Sequence, residues 1–280
     1  MKQLLIQNYG HNYHYEIIES VIVKYFIILN IDKTIPIDIY LHISHNDSFQ
    51  KYIQQKYPHV KFKNIKKFDY YIHCTVYDRD FKNLDVNPNK KYISHEITER
   101  LHRHPNVVFL PPLAKKNFFY ANVLPFSEKK KKTKIPIYII QGNLNQNRRD
   151  WSLLTKILDK TYKYKFFIKL IGRGRGPPAL RKYKDKIILK NNLNFIDFHK
   201  EFLDGYCILP LSSKHFGRCP FYYTTKLTST INYALGYKLK CLIDRDLQDI
   251  YNLKDVEIFN DMNDITIAFE KTLETFYLGG

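Results

Sequence analysis

Apolar and polar positions alternate in blocks that predict successive strands and helices. Gln3–Gln7 is a short apolar run typical of a strand, and the apolar residues of Tyr15–Leu29 recur at helical spacing. The same criteria predict further strands at Ile37–Ile43, Tyr70–Tyr77 and Val107–Leu110, and one more helix at Ser48–Tyr57. Short, continuously apolar strands are typical of parallel sheets covered on both faces. We therefore expect an α/β layered fold in this part of the chain.

A charged run, Ser127–Lys134, interrupts this pattern. Like charges repel and extend a chain, so the run predicts a linker. Strand–helix alternation then resumes, with Asp150 as the expected cap of a helix and Gly236 as the expected end of another. Strands are predicted at Ile135–Gln141, Lys165–Ile171, Tyr206–Leu211 and Lys238–Ile243, and helices at Trp151–Leu158, Thr224–Leu235 and Asp264–Phe276.

The predicted organisation is therefore an N-terminal domain (1–128), a basic linker (129–134) and a C-terminal domain (135–280). Both are expected to be Rossmann-like α/β domains with parallel sheets that face each other across a cleft. Ligands of such folds bind outside the carboxyl ends of the strands.

Composition narrows the class of protein. With 44% hydrophobic residues the chain can build real cores, and its four cysteines lie far apart, without zinc or disulfide spacing. The most apolar stretch, Ile17–Leu29, is too short and too charged to span a bilayer. We therefore expect a soluble, cytoplasmic protein.

The net charge of +18 points first to nucleic acid or an anionic membrane surface. Lysine far outnumbers arginine, however, and Ile, Asn and Tyr are abundant too, as an AT-rich genome would produce. We interpret most of the charge as a solvated lysine surface. The tyrosines are spread through the predicted elements, so we expect no basic–aromatic platform and no specific nucleic acid. Peripheral contact with an anionic membrane stays open.

The segment Pro210–Asp244 is the richest in candidate chemistry. A strand ends in Ser212 and Ser213, and the predicted helix that follows holds Lys226, Thr228, Ser229 and Thr230 in its first turns. Free N–H groups and the positive dipole end of a helix favour a phosphate there. The alternative is an ordinary Ser/Thr-rich helix cap.

The order of motifs in this half resembles a known family. The matching pieces are a strand ending in a glycine loop, a second strand ending in glycine, a third strand, a Pro-Ser/Phe-Gly loop and a helix ending in Ala-x-Gly. In this chain they are Ile137–Gly142, Lys169–Gly172, Leu193–Asp197, Pro210–Gly217 and Tyr233–Leu239. This succession resembles the donor-binding half of the GT-B glycosyltransferases (the glycosyl transferases group 1 family).

The resemblance implies a glycosyltransferase that takes a sugar from a nucleotide-sugar donor. By position, Arg148 and Arg149 would bind the pyrophosphate. The other implied donor-binding residues are Gly142, Gly172, Arg173, Lys226, Thr228, Ser229 and Thr230. The family's glutamate for the donor ribose is not visible, and Thr228–Thr230 or Asn232 would have to substitute. The acceptor would be a hydroxyl of a glycan, lipid or protein.

A catalytic base is expected in the N-terminal half. His95 and Glu96 follow a predicted strand and rank first, with His11 beside them. A neutral imidazole suits proton abstraction near pH 7. His14 and Asp78 are further candidates, and each histidine alone has a purely structural alternative.

Two rival functions remain. The first is a metal-dependent GT-A glycosyltransferase, because Asp78-Arg79-Asp80 and Asp244-Arg245-Asp246 both resemble the DxD motif with which that class binds Mn²⁺ or Mg²⁺. The second is a non-catalytic, basic protein that binds nucleic acid. A complete α/β unit that restarts after a linker favours GT-B, for which we expect neither a metal nor another cofactor.

Overall fold

The computed structural model describes residues 1–9, 14–43, 47–62, 67–110, 112–114, 117–119, 121, 123–125 and 130–279. Contacts divide the chain into two compact units. The N-terminal unit comprises Met1–Leu124 together with Thr225–Leu227, and the C-terminal unit comprises Pro125–Thr224 and Thr228–Gly280. Each unit has its own parallel sheet.

The described part of the N-terminal unit contains a five-stranded sheet in the order β2-β1-β3-β4-β5. All of its pairings are parallel. The strands are Lys2–Asn8 (β1), Ile37–His42 (β2), Tyr70–Val76 (β3), Lys90–Ser94 (β4) and Val107–Phe109 (β5). The helices are Tyr15–Leu29 (α1), Asp47–Lys56 (α2) and Glu99–Arg103 (α3). A parallel sheet requires crossover connections, and the amphipathic helices supply them.

A buried carboxylate joins α1 to α2. Glu19 is 1% exposed, and it accepts hydrogen bonds from the hydroxyls of Tyr52 (2.8 Å) and Tyr57 (3.0 Å). Lys56 pairs with the same carboxylate at 2.8 Å. These partners satisfy the charge that burial would otherwise leave uncompensated.

In the described part of the C-terminal unit, the sheet has six strands in the order β11-β10-β9-β6-β7-β8, again all parallel. The strands are Ile137–Asn143 (β6), Phe167–Arg173 (β7), Ile187–Asn191 (β8), Cys207–Ile208 (β9), Lys240–Asp244 (β10) and Val256–Phe259 (β11). The helices are Trp151–Thr161 (α4), Phe195–Lys200 (α5), Phe221–Thr224 (α6), Ser229–Tyr237 (α7), Arg245–Tyr251 (α8) and Ile265–Leu278 (α9).

One apolar core joins α4 and α9 to this sheet. Tyr138, Phe166 and Phe269 pack as a cluster of rings, with Tyr138 and Phe269 centroids 4.3 Å apart. The chain's single tryptophan, Trp151, belongs to the same core and is 5% exposed. Asp150 caps α4 as predicted, because its side chain accepts from the Ser152 N–H at 3.2 Å.

Two predicted elements are wrong. Leu193–Asp197 is not a strand: Asn194 accepts from the Asp197 N–H at 2.9 Å and begins helix α5, while the neighbouring strand is β8. The helix predicted at Thr224–Leu235 begins only at Ser229, after Thr228. It also continues through Gly236, and Lys238 ends it in the left-handed region with φ 51°. Pairing of Thr225–Leu227 with the N-terminal unit explains the late start.

None of the helices in the described ranges is long and apolar enough to cross a bilayer.

Candidate functional site

Two glycines meet at the carboxyl ends of β6 and β7. Gly142 and Gly172 face each other in the ladder, with φ values of +111° and +148°. A Cβ atom on Gly172 would lie 1.8 Å from the carbonyl oxygen of Gly142, so only glycine fits there. The two strands therefore end in bare backbone at the edge where ligands of parallel sheets bind.

A buried arginine lies beside this pair. Arg149 is 7% exposed, its Nη1 donates to the Pro210 carbonyl oxygen at 2.7 Å, and its Nη2 donates to the carbonyl oxygen of Gln141. Its Nε is buried without a hydrogen-bond partner. Burial lowers the pKa of Arg149 to about 10. Within the described residues no carboxylate pairs with this guanidinium, so its positive charge is uncompensated and favours an anion.

The loop after β6 and the loop after β9 are held together. A Cβ atom on Gly217 would lie 2.6 Å from the Asn147 carbonyl oxygen, and the Arg218 N–H donates to that oxygen at 3.1 Å. The Cys219 thiol donates to the carbonyl oxygen of Arg148 at 3.8 Å. This contact places the cationic residues of both loops, Arg148 and Arg218, at one edge of the sheet.

The turn after β7 adds more positive charge to the same edge. Arg173, the last residue of β7, and Arg175, in the turn itself, are exposed. The Leu144 N–H donates to the Arg173 carbonyl oxygen at 2.8 Å, which joins the turn to the loop after β6. The carboxyl edge of the C-terminal sheet is thus basic, as a diphosphate site requires.

The first turn of α7 lies against the end of β6. The hydroxyl of Thr230 donates to Gln141 Oε1 at 3.1 Å, and the Thr228 N–H donates to the Tyr251 hydroxyl at 2.9 Å. Thr228 is the N-cap residue, but its side chain makes no capping hydrogen bond. Thr228, Ser229 and Thr230 therefore lie at a helix N-terminus beside the end of β6, the strand whose Gln141 carbonyl oxygen accepts from Arg149. No pattern in the sequence indicates that Gln141 or Tyr251 contributes to this edge.

Contrary to the sequence prediction, Lys226 does not lie in the first turns of helix α7. It precedes α7 and belongs to the N-terminal unit, where it forms a bridge with Glu96. Backbone hydrogen bonds fix this pairing, from the Ile97 N–H to Thr225 O at 2.7 Å and from the Leu227 N–H to His95 O at 3.0 Å. The ammonium of Lys226 lies 3.3 Å from the Glu96 carboxylate.

The candidate bases cluster at the carboxyl edge of the N-terminal sheet. His95 and Glu96 directly follow β4, as predicted. The ring of His95 lies 4.7 Å from that of His14 and 4.9 Å from that of Tyr77. The Glu96 carboxylate also accepts from the Asp78 N–H at 3.2 Å. His11 lies outside the described residues.

Three of the four carboxylates in the two DxD-like triplets accept local hydrogen bonds, and the fourth, Asp246, lies 3.4 Å from the Lys214 ammonium. Asp78 accepts from the Thr98 hydroxyl at 2.5 Å, and Asp80 from the Tyr77 N–H at 2.9 Å. Asp244 caps α8 and accepts from the Tyr223 hydroxyl at 2.8 Å, while burial raises its pKa. Across the described ranges, no group of three or more His, Cys, Asp or Glu residues is arranged to hold a metal ion.

No family model matches the chain. No curated protein matches it either.

Solved structures do match it over nearly its full length. AviGT4, a glycosyltransferase involved in avilamycin A biosynthesis, is 7% identical with a TM-score of 0.54, covering 100% of this chain and 99% of that one. HepE of Anabaena in complex with UDP is 8% identical (TM-score 0.54; 99% and 91% covered). A proposed UDP-N-acetylglucosamine 2-epimerase from Listeria monocytogenes is 9% identical (TM-score 0.52; 98% and 88% covered). The chain therefore has a GT-B-type fold with two Rossmann-like halves.

Proposed function

We propose that the chain is a glycosyltransferase that transfers a sugar from a nucleotide-sugar donor to a hydroxyl acceptor. The observation that carries the proposal is Arg149, a buried cation without a carboxylate partner in the described residues, at the ligand-binding edge of a parallel sheet. A donor diphosphate would supply the missing negative charge. A guanidinium also matches phosphate oxygens in geometry.

In this proposal the donor diphosphate lies over the Gly142–Gly172 pair. Arg148, Arg149 and Arg173 neutralise it, and the Thr228 hydroxyl and the N–H groups of Ser229 and Thr230 at the start of α7 contact a phosphate or the ribose. These groups act where negative charge builds up on the leaving diphosphate, and fixed dipoles and charges stabilise such charge most effectively. The mechanism requires no metal ion.

The acceptor hydroxyl needs a base, for which we propose Glu96, assisted by His95. A carboxylate or imidazole within hydrogen-bond reach can take the proton as the sugar is transferred. Lys226 holds the Glu96 carboxylate in place. The predicted donor contact of Lys226 would have to compete with Glu96 for the same ammonium group.

The test is a donor panel. Purified protein is incubated with labelled UDP- and GDP-sugars and mixed glycan and lipid acceptors, with EDTA present, and nucleoside diphosphate release is measured alongside labelled product. We expect transfer from one donor class and its loss in Glu96→Gln. Isomerisation of a sugar that stays on its nucleotide would instead indicate an epimerase. Absence of any donor turnover or binding would contradict the proposal.

A further inference from the structure

A cluster of lysines and tyrosines covers the amino ends of β7 and β8, opposite the edge proposed for the donor. It consists of segments 159–166 and 181–186, which together carry seven basic and two acidic side chains. We name this surface the lysine–tyrosine edge. Residues 167–180 separate its two segments in sequence, but β7 and β8 are parallel neighbours, so the segments that precede them meet.

Contacts between the segments show that the edge is a built surface. The Lys186 ammonium donates to the Tyr164 carbonyl oxygen at 2.6 Å and lies 5.3 Å from the ring centre of Tyr162. The rings of Tyr162 and Tyr183 are 6.2 Å apart. Lys163 lies 5.1 Å from the ring centre of Tyr164. The ammonium groups are thus spaced around aromatic rings.

The edge is open to solvent. Tyr162 is 43% and Tyr164 is 37% exposed, and Lys160, Lys163, Lys165 and Lys184 are exposed as well. The end of α9 extends the same surface, because the Tyr277 hydroxyl donates to the Lys165 carbonyl oxygen at 2.7 Å. Its neighbour Leu278 is 87% exposed. Large apolar groups and positive charges therefore lie side by side.

We propose that the lysine–tyrosine edge docks the protein on an anionic lipid surface. Tyrosine rings and lysine stems suit the interface of a bilayer, where one end of the side chain is apolar and the other hydrated. The surplus positive charge matches acidic head groups.

A lipid surface fits this edge better than single-stranded nucleic acid. Nucleic acid binds aromatic platforms by stacking bases on ring faces. Here ammonium groups already lie over Tyr162, Tyr164 and Tyr183, the last at 4.6 Å from Lys182. The exposed apolar side chain of Leu278 can contact the apolar part of a bilayer, whereas the stacking of a base does not require such a side chain. This proposal is independent of the proposed function.

The test is co-sedimentation with vesicles. The wild-type chain should bind vesicles of 30% phosphatidylglycerol in phosphatidylcholine, bind pure phosphatidylcholine weakly, and lose affinity as salt rises. Each lysine contributes about fivefold to such binding. Lys163→Gln/Lys165→Gln/Lys184→Gln should therefore weaken partitioning about 100-fold, since these ammonium groups form no salt bridges in the described structure.

The matched control is Lys131→Gln/Lys132→Gln/Lys134→Gln, which removes the same charge from exposed positions of the basic run. It should bind nearly as the wild type does. Equal loss in both triple variants would overturn the proposal, because diffuse charge would then explain the binding. Single-stranded RNA that binds at this edge more tightly than the vesicles, and displaces them, would overturn it in favour of nucleic acid.

Discussion

Gly172→Ala should destabilise the C-terminal unit by several kcal/mol. Its new Cβ would lie 1.8 Å from the Gly142 carbonyl oxygen and 2.8 Å from the Gly142 carbonyl carbon, and backbone cannot rotate away as a side chain can. The residue also has φ +148°, which strains an L residue by about 1–3 kcal/mol. Separating the ends of β6 and β7 would cost two ladder hydrogen bonds, at about 0.5–1.5 kcal/mol each. The expected loss is therefore about 2–6 kcal/mol.

Gly174→Ala is the matched control. Gly174 has φ +98°, but the atom nearest to its Cβ would be the side-chain oxygen of Asn145, at 3.2 Å, and Leu144 would lie at the ordinary contact distances of 3.5 and 3.7 Å. This variant should therefore show only the strain, about 1–3 kcal/mol. Urea unfolding followed by Trp151 fluorescence measures both, since the single tryptophan lies in the core of this unit. Equal destabilisation by the two substitutions would refute the close approach of the strands.

Three further outcomes are expected. Burial and the charge of Lys90 lower the pKa of His73 to about 4, so the unfolded state takes up a proton first as pH falls from about 6.5. Hydrogen exchange should therefore show that the free energy of unfolding of the N-terminal unit falls by up to about 3 kcal/mol by pH 4, a loss that His73→Phe should not show. Lys226→Gln should lower kcat and leave UDP affinity unchanged if it positions Glu96; weaker UDP binding at unchanged kcat would make it a donor contact. Lys238→Gly should stabilise the C-terminal unit by about 1 kcal/mol, since Lys238 has φ 51°, and no gain would contradict that conformation.

Local signals in the sequence predict much of this fold. The apolar runs of β1, β3 and β6 and the Asp150 cap were readable because short-range patterns determine them. The strand prediction for Leu193–Asp197 is wrong because its apolar residues imitate a strand, while the hydrogen bond from the Asp197 N–H to the Asn194 side chain starts a helix.

The site was less predictable because long-range pairing decides it. Arg149 could be chosen by position, but its carbonyl partner Pro210 is 61 residues away and only the folded sheet brings them together. The same holds for Lys226, whose pairing with Glu96 spans the N-terminal unit's two sequence segments. Periodicity carries no information about either contact.

Calorimetric titration with UDP and GDP tests the central claim most directly. The wild-type chain should bind one of them at a single site in the presence of EDTA. Arg149→Met and, as a milder variant, Arg148→Gln should each weaken binding roughly tenfold to hundredfold, the range of about 1.5–3 kcal/mol for a charge-assisted contact. Arg181→Met removes an exposed arginine from the opposite edge of the same sheet and should change nothing. Failure of the wild-type chain to bind either nucleotide, or equal binding by all three variants, would contradict the account.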